Sequence, residues 1–264
     1  MNKLTIVISG AKQSGKTSLG KYILTSIVNS KIGHNRLILH PKGKEILVLD
    51  TFNNNQPLVV DQPSDDSRKI ADTYGVKLYS FADPLKEFCI NVLGLDRRQC
   101  YGTDDDKNSA THISWTDIPN DIRDKYRRPR RGDGSIKPAS GYMTGREVMQ
   151  VFGTDICRKM DTNCWSRGTY SSITKDGFET AVCIDARFPN EITMGTENNA
   201  KAIRLLRKIH NDEHESETAL NDFPLGEYDC ILNNQDLEMY ENHLLFSPTL
   251  IGWMDQHNIA RKVK

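Results

Sequence analysis

The residues best suited to chemistry stand close to the start of the chain. Gly10-Ala11-Lys12-Gln13-Ser14-Gly15-Lys16-Thr17 matches the pattern G-x-x-x-x-G-K-[ST] at every fixed position. Such a loop turns main-chain N–H groups inward around a phosphate, and the helix that follows aims its N-terminal dipole at the anion. Gly10 and Gly15 allow a turn that a side chain would obstruct. The pattern makes Gly10, Ala11, Gln13, Ser14, Gly15, Lys16, Thr17 and Ser18 candidate contacts for a nucleotide's phosphates. Lys16 would reach the β- and γ-phosphates, and the Thr17 hydroxyl would ligate Mg2+.

Other charged residues sit where such a site would need them. Asp185 closes the apolar stretch TAVCIDA (180–186), with Arg187 two residues on. Charge at the carboxyl end of a buried strand faces the ligand crevice of an open α/β sheet, so Asp185 is a candidate metal-holding acid. A surface aspartate beside an ion-paired arginine is the plainer alternative. FADPLK (81–86) is a second strand-to-helix junction. There Lys86 would meet an acceptor's phosphate and Asp83 a metal-bound water or a hydroxyl, unless Asp83 only caps the helix that Pro84 begins. Arginines abound: Arg146, Arg158, Arg167, Arg204, Arg207 and the run RDKYRRPRR at 123–131. Phosphoryl transfer relies on positive charge around the moving phosphate, although any single arginine is more often a solvated surface residue. No N-K-x-D sequence is present to select guanine.

The elements that must carry these residues follow from periodicity. LTIVIS (4–9) reads as a strand, and a helix is predicted from Lys16 to Ser30. From Ile32 to Tyr74 the texture changes. LILHPKGKEILVLDT suggests two short strands about a turn and NNNQPLVVDQPSDD a loop, so 32–74 reads as a β-rich insertion. VKLYSFA (76–82) and the helical DPLKEFCINVLGL restore the α/β order. Residues 101–142 are rich in Asp, Asn, Pro, Gly and Arg, which predicts a long irregular, lid-like segment. MTGREVMQVFGTDICRKM reads as a helix, with Thr144 at its N-cap and Glu147 at the capping-box position. TAVCIDA and AIRLLR (202–207) read as buried parallel strands, YDCIL (228–232) as a strand ending at Asn233 and Asn234, and LEMYENHLL as a last helix. The expected architecture is a single α/β domain over 1–264, with a three-layer P-loop NTPase fold. Its parallel sheet has about five strands joined by right-handed crossovers.

Composition limits the alternatives. With 37% hydrophobic and 27% charged residues, the chain has the make-up of a water-soluble protein, and it contains no apolar run long enough to span a membrane. No secretory signal opens it, so the cytoplasm is the expected location. Thirty-five basic residues balance thirty-five acidic ones, which leaves no broad positive field for a polynucleotide. The run at 123–131 is the local exception. Six cysteines without metal-ligand spacing read as reduced thiols.

Taken together, GAKQSGKTS, FADPLK, the REVMQVFGTDICR helix with Trp165 beyond it, DARFPNE, RLLR and HESE (214–217) occur in order over nearly the whole chain. This combination resembles the deoxynucleoside monophosphate kinases of tailed bacteriophages. The first motif is shared by all P-loop proteins. Specificity therefore rests on Gly153-Thr154-Asp155, on DARFPNE and on His214 to Glu217.

The resemblance implies an NMP-kinase-like fold and transfer of the γ-phosphoryl group of ATP, with Mg2+, to a deoxynucleoside monophosphate, in support of phage DNA synthesis in a host cytoplasm. It implies that Lys16, Asp185 and Arg187 are catalytic. Lys86, Arg146 and Arg187 would hold the acceptor's phosphate; Gln150, Asp155 and Trp165 would line its pocket, and Arg204 or Arg207 would approach ATP. The implied partners are ATP and a dNMP, with no membrane and no nucleic acid, and a homodimer stays open. The 32–74 insertion and the basic segment before Met143 depart from the compact family pattern and leave acceptor specificity open. A nucleic-acid-associated ATPase using Arg127, Arg128, Arg130 and Arg131, a non-catalytic nucleotide-binding regulator, and a kinase of another small acceptor remain alternatives.

Overall fold

The computed structural model describes residues 4–42, 45–129, 136–207 and 219–259. The chain forms two compact units: Met1–Phe81 with Ser166–Lys264, and Ala82–Trp165 between them in sequence.

The first unit is built on a five-stranded parallel sheet in the order β12-β11-β1-β10-β5. Its strands are β1 (Leu4–Gly10), β5 (Val76–Tyr79), β10 (Thr180–Ala186), β11 (Lys201–Leu205) and β12 (Cys230–Leu232). β1 lies at the centre because its apolar residues must be covered on both faces. Leu4, Ile6 and Ile8 join one core with Leu19, Ile23 and Ile27 of the helix Lys16–Ile32 and with Phe246, Leu250 and Trp253 of the helix Met239–Gln256. Val7 joins a second core with Ala181, Cys183 and Ala202 of the neighbouring strands, Ile173 of the helix Cys164–Asp176 and Ile192 of the helix Pro189–Glu197. Alternation along one strand thus feeds two helical layers, as a near-continuous buried strand requires. This five-strand parallel α/β arrangement agrees with the expected P-loop, NMP-kinase-like fold.

Residues 32–74 form β2 (Leu37–Lys42), β3 (Glu45–Asp50) and β4 (Gln56–Leu58), an antiparallel sheet in that order, followed by the helix Asp65–Tyr74. The two strands read from LILHPKGKEILVLDT pair as expected. β4 and the helix go beyond the loop reading of the segment after them. Ser67, Ile70 and Ala71 are the residues of that helix that are buried. Its start is fixed by Ser64, whose hydroxyl accepts from the Ser67 N–H at 3.0 Å.

The second unit has its own core around the wholly buried Trp115, with Cys89, Leu95, Cys100, Met143, Val148 and Val151. Residues 101–142 contribute β6 (Ala110–Ser114), β7 (Arg127–Pro129) and β8 (Ile136–Pro138). β6 pairs with β9 (Tyr142–Thr144) and β7 with β8, both antiparallel. Thr144 caps the helix Gly145–Gln150 reciprocally with Glu147, at 3.2 and 2.8 Å, as expected from the sequence. The helix then departs from expectation, since Val151–Cys157 winds as a π-helix.

Among the described residues no helix is long and apolar enough to cross a membrane. All six cysteines are free thiols, and burial pushes that of Cys89 up to about 12.

Candidate functional site

The phosphate-loop residues gather at the carboxyl end of β1, in the first unit. Gly10 adopts φ +155°, and a Cβ there would lie 2.5 Å from the Ser14 hydroxyl and 3.0 Å from Leu205 Cβ. Gly15 (φ +98°) and Gln13 (φ +61°) take left-handed backbone conformations on either side of Ser14. The loop is closed by Ser14 N–H donating to the Ala11 carbonyl at 3.1 Å, and the helix begins with Leu19 N–H on the Gly15 carbonyl at 2.9 Å. Gly15 is its N-cap and supplies no side-chain cap.

Lys16 is buried, and its ammonium donates to the Gly10 and Ala11 carbonyls, each at 2.7 Å. Thr17 is exposed on the first helical turn. The hydroxyls of Ser14 and Ser18 are buried without a protein partner. Uncapped helix start, buried hydroxyl donors and a held ammonium together suit a phosphate chain. Mg2+ typically takes one or two protein oxygens and completes its shell with waters and phosphate oxygens, a demand that Thr17 could meet.

Strand register brings further candidates to the same end of the sheet. β1 pairs with β10 and β11 so that Ser9 lies opposite Ala186 and Arg204. Asp185 therefore sits beside the start of the loop, but its carboxylate is already used within the sheet. It accepts from the Phe81 N–H at 2.7 Å and bonds the Ser80 hydroxyl, tying β10 to the end of β5. A carboxylate has about four lone-pair directions, so these bonds leave capacity toward a metal-bound water.

Arg187 follows at the strand end. Its N–H and that of Phe188 donate to the buried Glu191 carboxylate, at 2.7 and 3.1 Å, which fixes the turn into the helix Pro189–Glu197. The Arg204 guanidinium reaches the Leu220 carbonyl at 3.4 Å, and Arg207 is half-buried two residues beyond β11.

Sequence reasoning missed Asn234. This buried residue beyond β12 donates its amide N–H to the Ser14 carbonyl at 2.9 Å, from 220 positions away. The only local signal was the Asn233-Asn234 pair, read as a strand end.

In the second unit the candidates fall into separate groups. Asp83 and Lys86 come together on the helix Asp83–Asn91, with 3.8 Å between ammonium and carboxylate. Ala82, not Asp83, is the N-cap of that helix. Arg146 is engaged elsewhere, by Asp104 at 2.6 Å and Asn108 at 3.1 Å. Gln150 ends the α-helical part of its helix. Asp155 accepts from Lys125 and from the Tyr126 hydroxyl, both at 2.7 Å. Burial opposes its ionisation, but these two bonds together with the charges of Lys125 and Lys159 outweigh burial and hold its carboxyl below the ordinary range.

Trp165 donates its indole N–H to the Gly153 carbonyl at 3.0 Å. That carbonyl also takes the π-type bond from the Arg158 N–H. A Cβ on Gly153 would stand 2.6 Å from Leu85 Cδ2, so the glycine of the Gly-Thr-Asp signature permits close packing there. The backbone of Arg127–Pro129 forms β7, whereas Arg130, Arg131 and the His214 to Glu217 cluster lie outside the described residues.

Residues 132–244 match the family model described as deoxynucleotide monophosphate kinase, which indicates a phosphotransferase of that kind. The match covers less than half of the chain. It includes Arg146, Gln150, Asp155, Trp165, Asp185, Arg187, Arg204 and Arg207, and it begins after the phosphate loop. Among curated proteins the search found no match.

Proposed function

We propose, from the premise that this chain is a deoxynucleotide monophosphate kinase, that it transfers the γ-phosphoryl group of ATP to a deoxynucleoside monophosphate, giving ADP and a dNDP. The observation that carries this reading is the loop Gly10–Thr17 at the end of the central strand, with positive backbone angles at Gly10, Gln13 and Gly15 and a buried lysine folded over it. That is a cradle for a phosphate chain, and the family match supplies the acceptor class.

In the transfer, an acceptor phosphate oxygen forms a bond to the γ-phosphorus while the β,γ-bridging bond breaks and its electrons leave with ADP. The second ionisation of a phosphate monoester lies near 6, so the attacking oxygen is already anionic at neutral pH and needs no general base. Catalysis is then positioning and charge stabilisation. Lys16 would hold the β- and γ-phosphates, and the loop's N–H groups would bind them. Thr17, with Asp185 through a water, would hold Mg2+, which when bound offsets the charge between the phosphates. Arg187, Arg146 and Lys86 would hold the acceptor's phosphate, Gln150, Asp155 and Trp165 would shape its pocket, and Arg204 or Arg207 would approach ATP. For Arg146 this requires exchanging Asp104 for the ligand.

The test is incubation of the purified chain with ATP, Mg2+ and each dNMP or NMP separately, with diphosphate products resolved. Activity on at least one dNMP is expected, with a loss of roughly a hundredfold or more in Lys16→Ala and a large defect in Arg187→Ala. A Lys16→Ala variant as active as the wild type would remove the mechanism.

A further inference from the structure

In the second unit, outside the residues that the motifs single out, Tyr101 closes the short helix Arg97–Tyr101. Its ring gathers charge. The Lys86 ammonium lies 4.5 Å and the Arg97 guanidinium carbon 4.6 Å from the ring centroid. Its hydroxyl lies 3.2 Å from an Asp83 carboxylate oxygen and 3.1 Å from one of Glu87. Arg97 in turn reaches Glu87 at 3.4 Å. Two cations and two carboxylates are thus arranged around one phenol.

The contacts of Lys86 differ in kind from ordinary ion pairing. Its ammonium has three donors. Its carboxylate contact, Asp83, is a long one at 3.8 Å, and its other neighbour is a π face. Both contacts attract the charge without binding its protons tightly, which suits a lysine that must hand them to a hard anion. A long flexible side chain also loses rotamer freedom when fixed, and a platform that fixes it beforehand removes that cost from ligand binding. Burial, then Asp83 and Glu87, push the Tyr101 phenol up from its ordinary value, so it stays protonated and remains a donor to the carboxylates.

We infer that Tyr101 is a positioning residue for phosphoryl acceptor binding: its ring face holds the Lys86 ammonium ready for the monophosphate of the incoming nucleotide. The inference rests on the assignment of Lys86 to the acceptor proposed above. Tyr101 itself touches no substrate and acts through the lysine.

The experiment measures kcat and the KM values for dNMP and ATP in the full-length enzyme. Tyr101→Phe keeps the ring and should leave the dNMP KM close to that of the wild type. Phenylalanines carrying successive ring fluorines at position 101 keep the shape but drain the face of electron density. They should raise the dNMP KM stepwise while the ATP KM stays fixed. Tyr101→Leu removes the face altogether and should raise the dNMP KM roughly three- to thirtyfold. In a Lys86→Met background the fluorinated series should have no effect. Lys86→Met alone separates the two claims. If it leaves the dNMP KM unmoved, the acceptor role of Lys86 fails and the inference fails with it. If it raises that KM while the fluorinated series is flat, Tyr101 alone is excluded.

Discussion

Replacing Gly10 with alanine tests whether the phosphate loop is as tightly closed as its geometry implies. The perturbation is one methyl group, and the structure gives two separate costs. Gly10 holds φ +155°, where an L side chain is strained by about 1–3 kcal/mol. The new Cβ would also stand 2.5 Å from the Ser14 hydroxyl, 3.0 Å from Leu205 Cβ and 3.1 Å from the Leu205 carbonyl oxygen. The hydroxyl can rotate away, but β11 is an interior strand and its backbone cannot. Overpacking of this kind costs about 1–3 kcal/mol.

The sum is roughly 2–6 kcal/mol, which at about 2 °C per kcal/mol for a chain of this size lowers Tm by roughly 4–12 °C. Relief by opening the loop would displace Ser14 and Lys16, so ATP affinity should fall tenfold or more even where part of the strain is released. Thermal melting with and without ATP, together with titration of a fluorescent ATP analogue, reads both quantities. A Gly10→Ala protein that melts with the wild type and binds ATP as tightly would refute the reasoning.

Two further outcomes are expected. Asn234→Leu leaves the buried Ser14 carbonyl without its donor, worth about 1–3 kcal/mol. The ATP KM should rise about tenfold with the dNMP KM unchanged, and equal shifts in both would show that Asn234 does not act through the loop. His243, stacked on Tyr22 at 4.4 Å with its Nε2 buried and unpartnered, has its pKa lowered by burial to about 4. Below about 6.5 the unfolded chain takes up a proton that the folded chain refuses until about pH 4. Stability should therefore fall as pH drops through that window, by about 3 kcal/mol in all. His243→Phe should flatten the slope in urea denaturation, and identical slopes in the two proteins would contradict it.

Some of this site was legible from short-range pattern alone. Gly10, Gly15, Lys16 and Thr17 are set by spacing within eight residues, because the backbone turns they permit are local. Thr144 with Glu147 was legible for the same reason, since a capping box spans one helical turn. The apolar runs of β1 and β10 announced strands buried on both faces. The π-helix at Val151–Cys157 was not legible. Shifting the bond pattern by one residue leaves the apolar spacing almost unchanged, while Gly153 pressed on Leu85 and Phe152 stacked on Phe88 depend on a partner helix.

The amino-acid sequence by itself thus determined the glycine-rich loop with its lysine and the α/β class, since the loop rests on residue types within a turn and the class on apolar runs within single strands. Only the tertiary structure decided that Asn234 supports the loop, that Asp185 is shared with Ser80 and Phe81, and that Lys86 rests on Tyr101. A single side chain reaching a backbone group or a ring far along the chain leaves no periodic trace, because nothing in its neighbours' identities has to change to permit it.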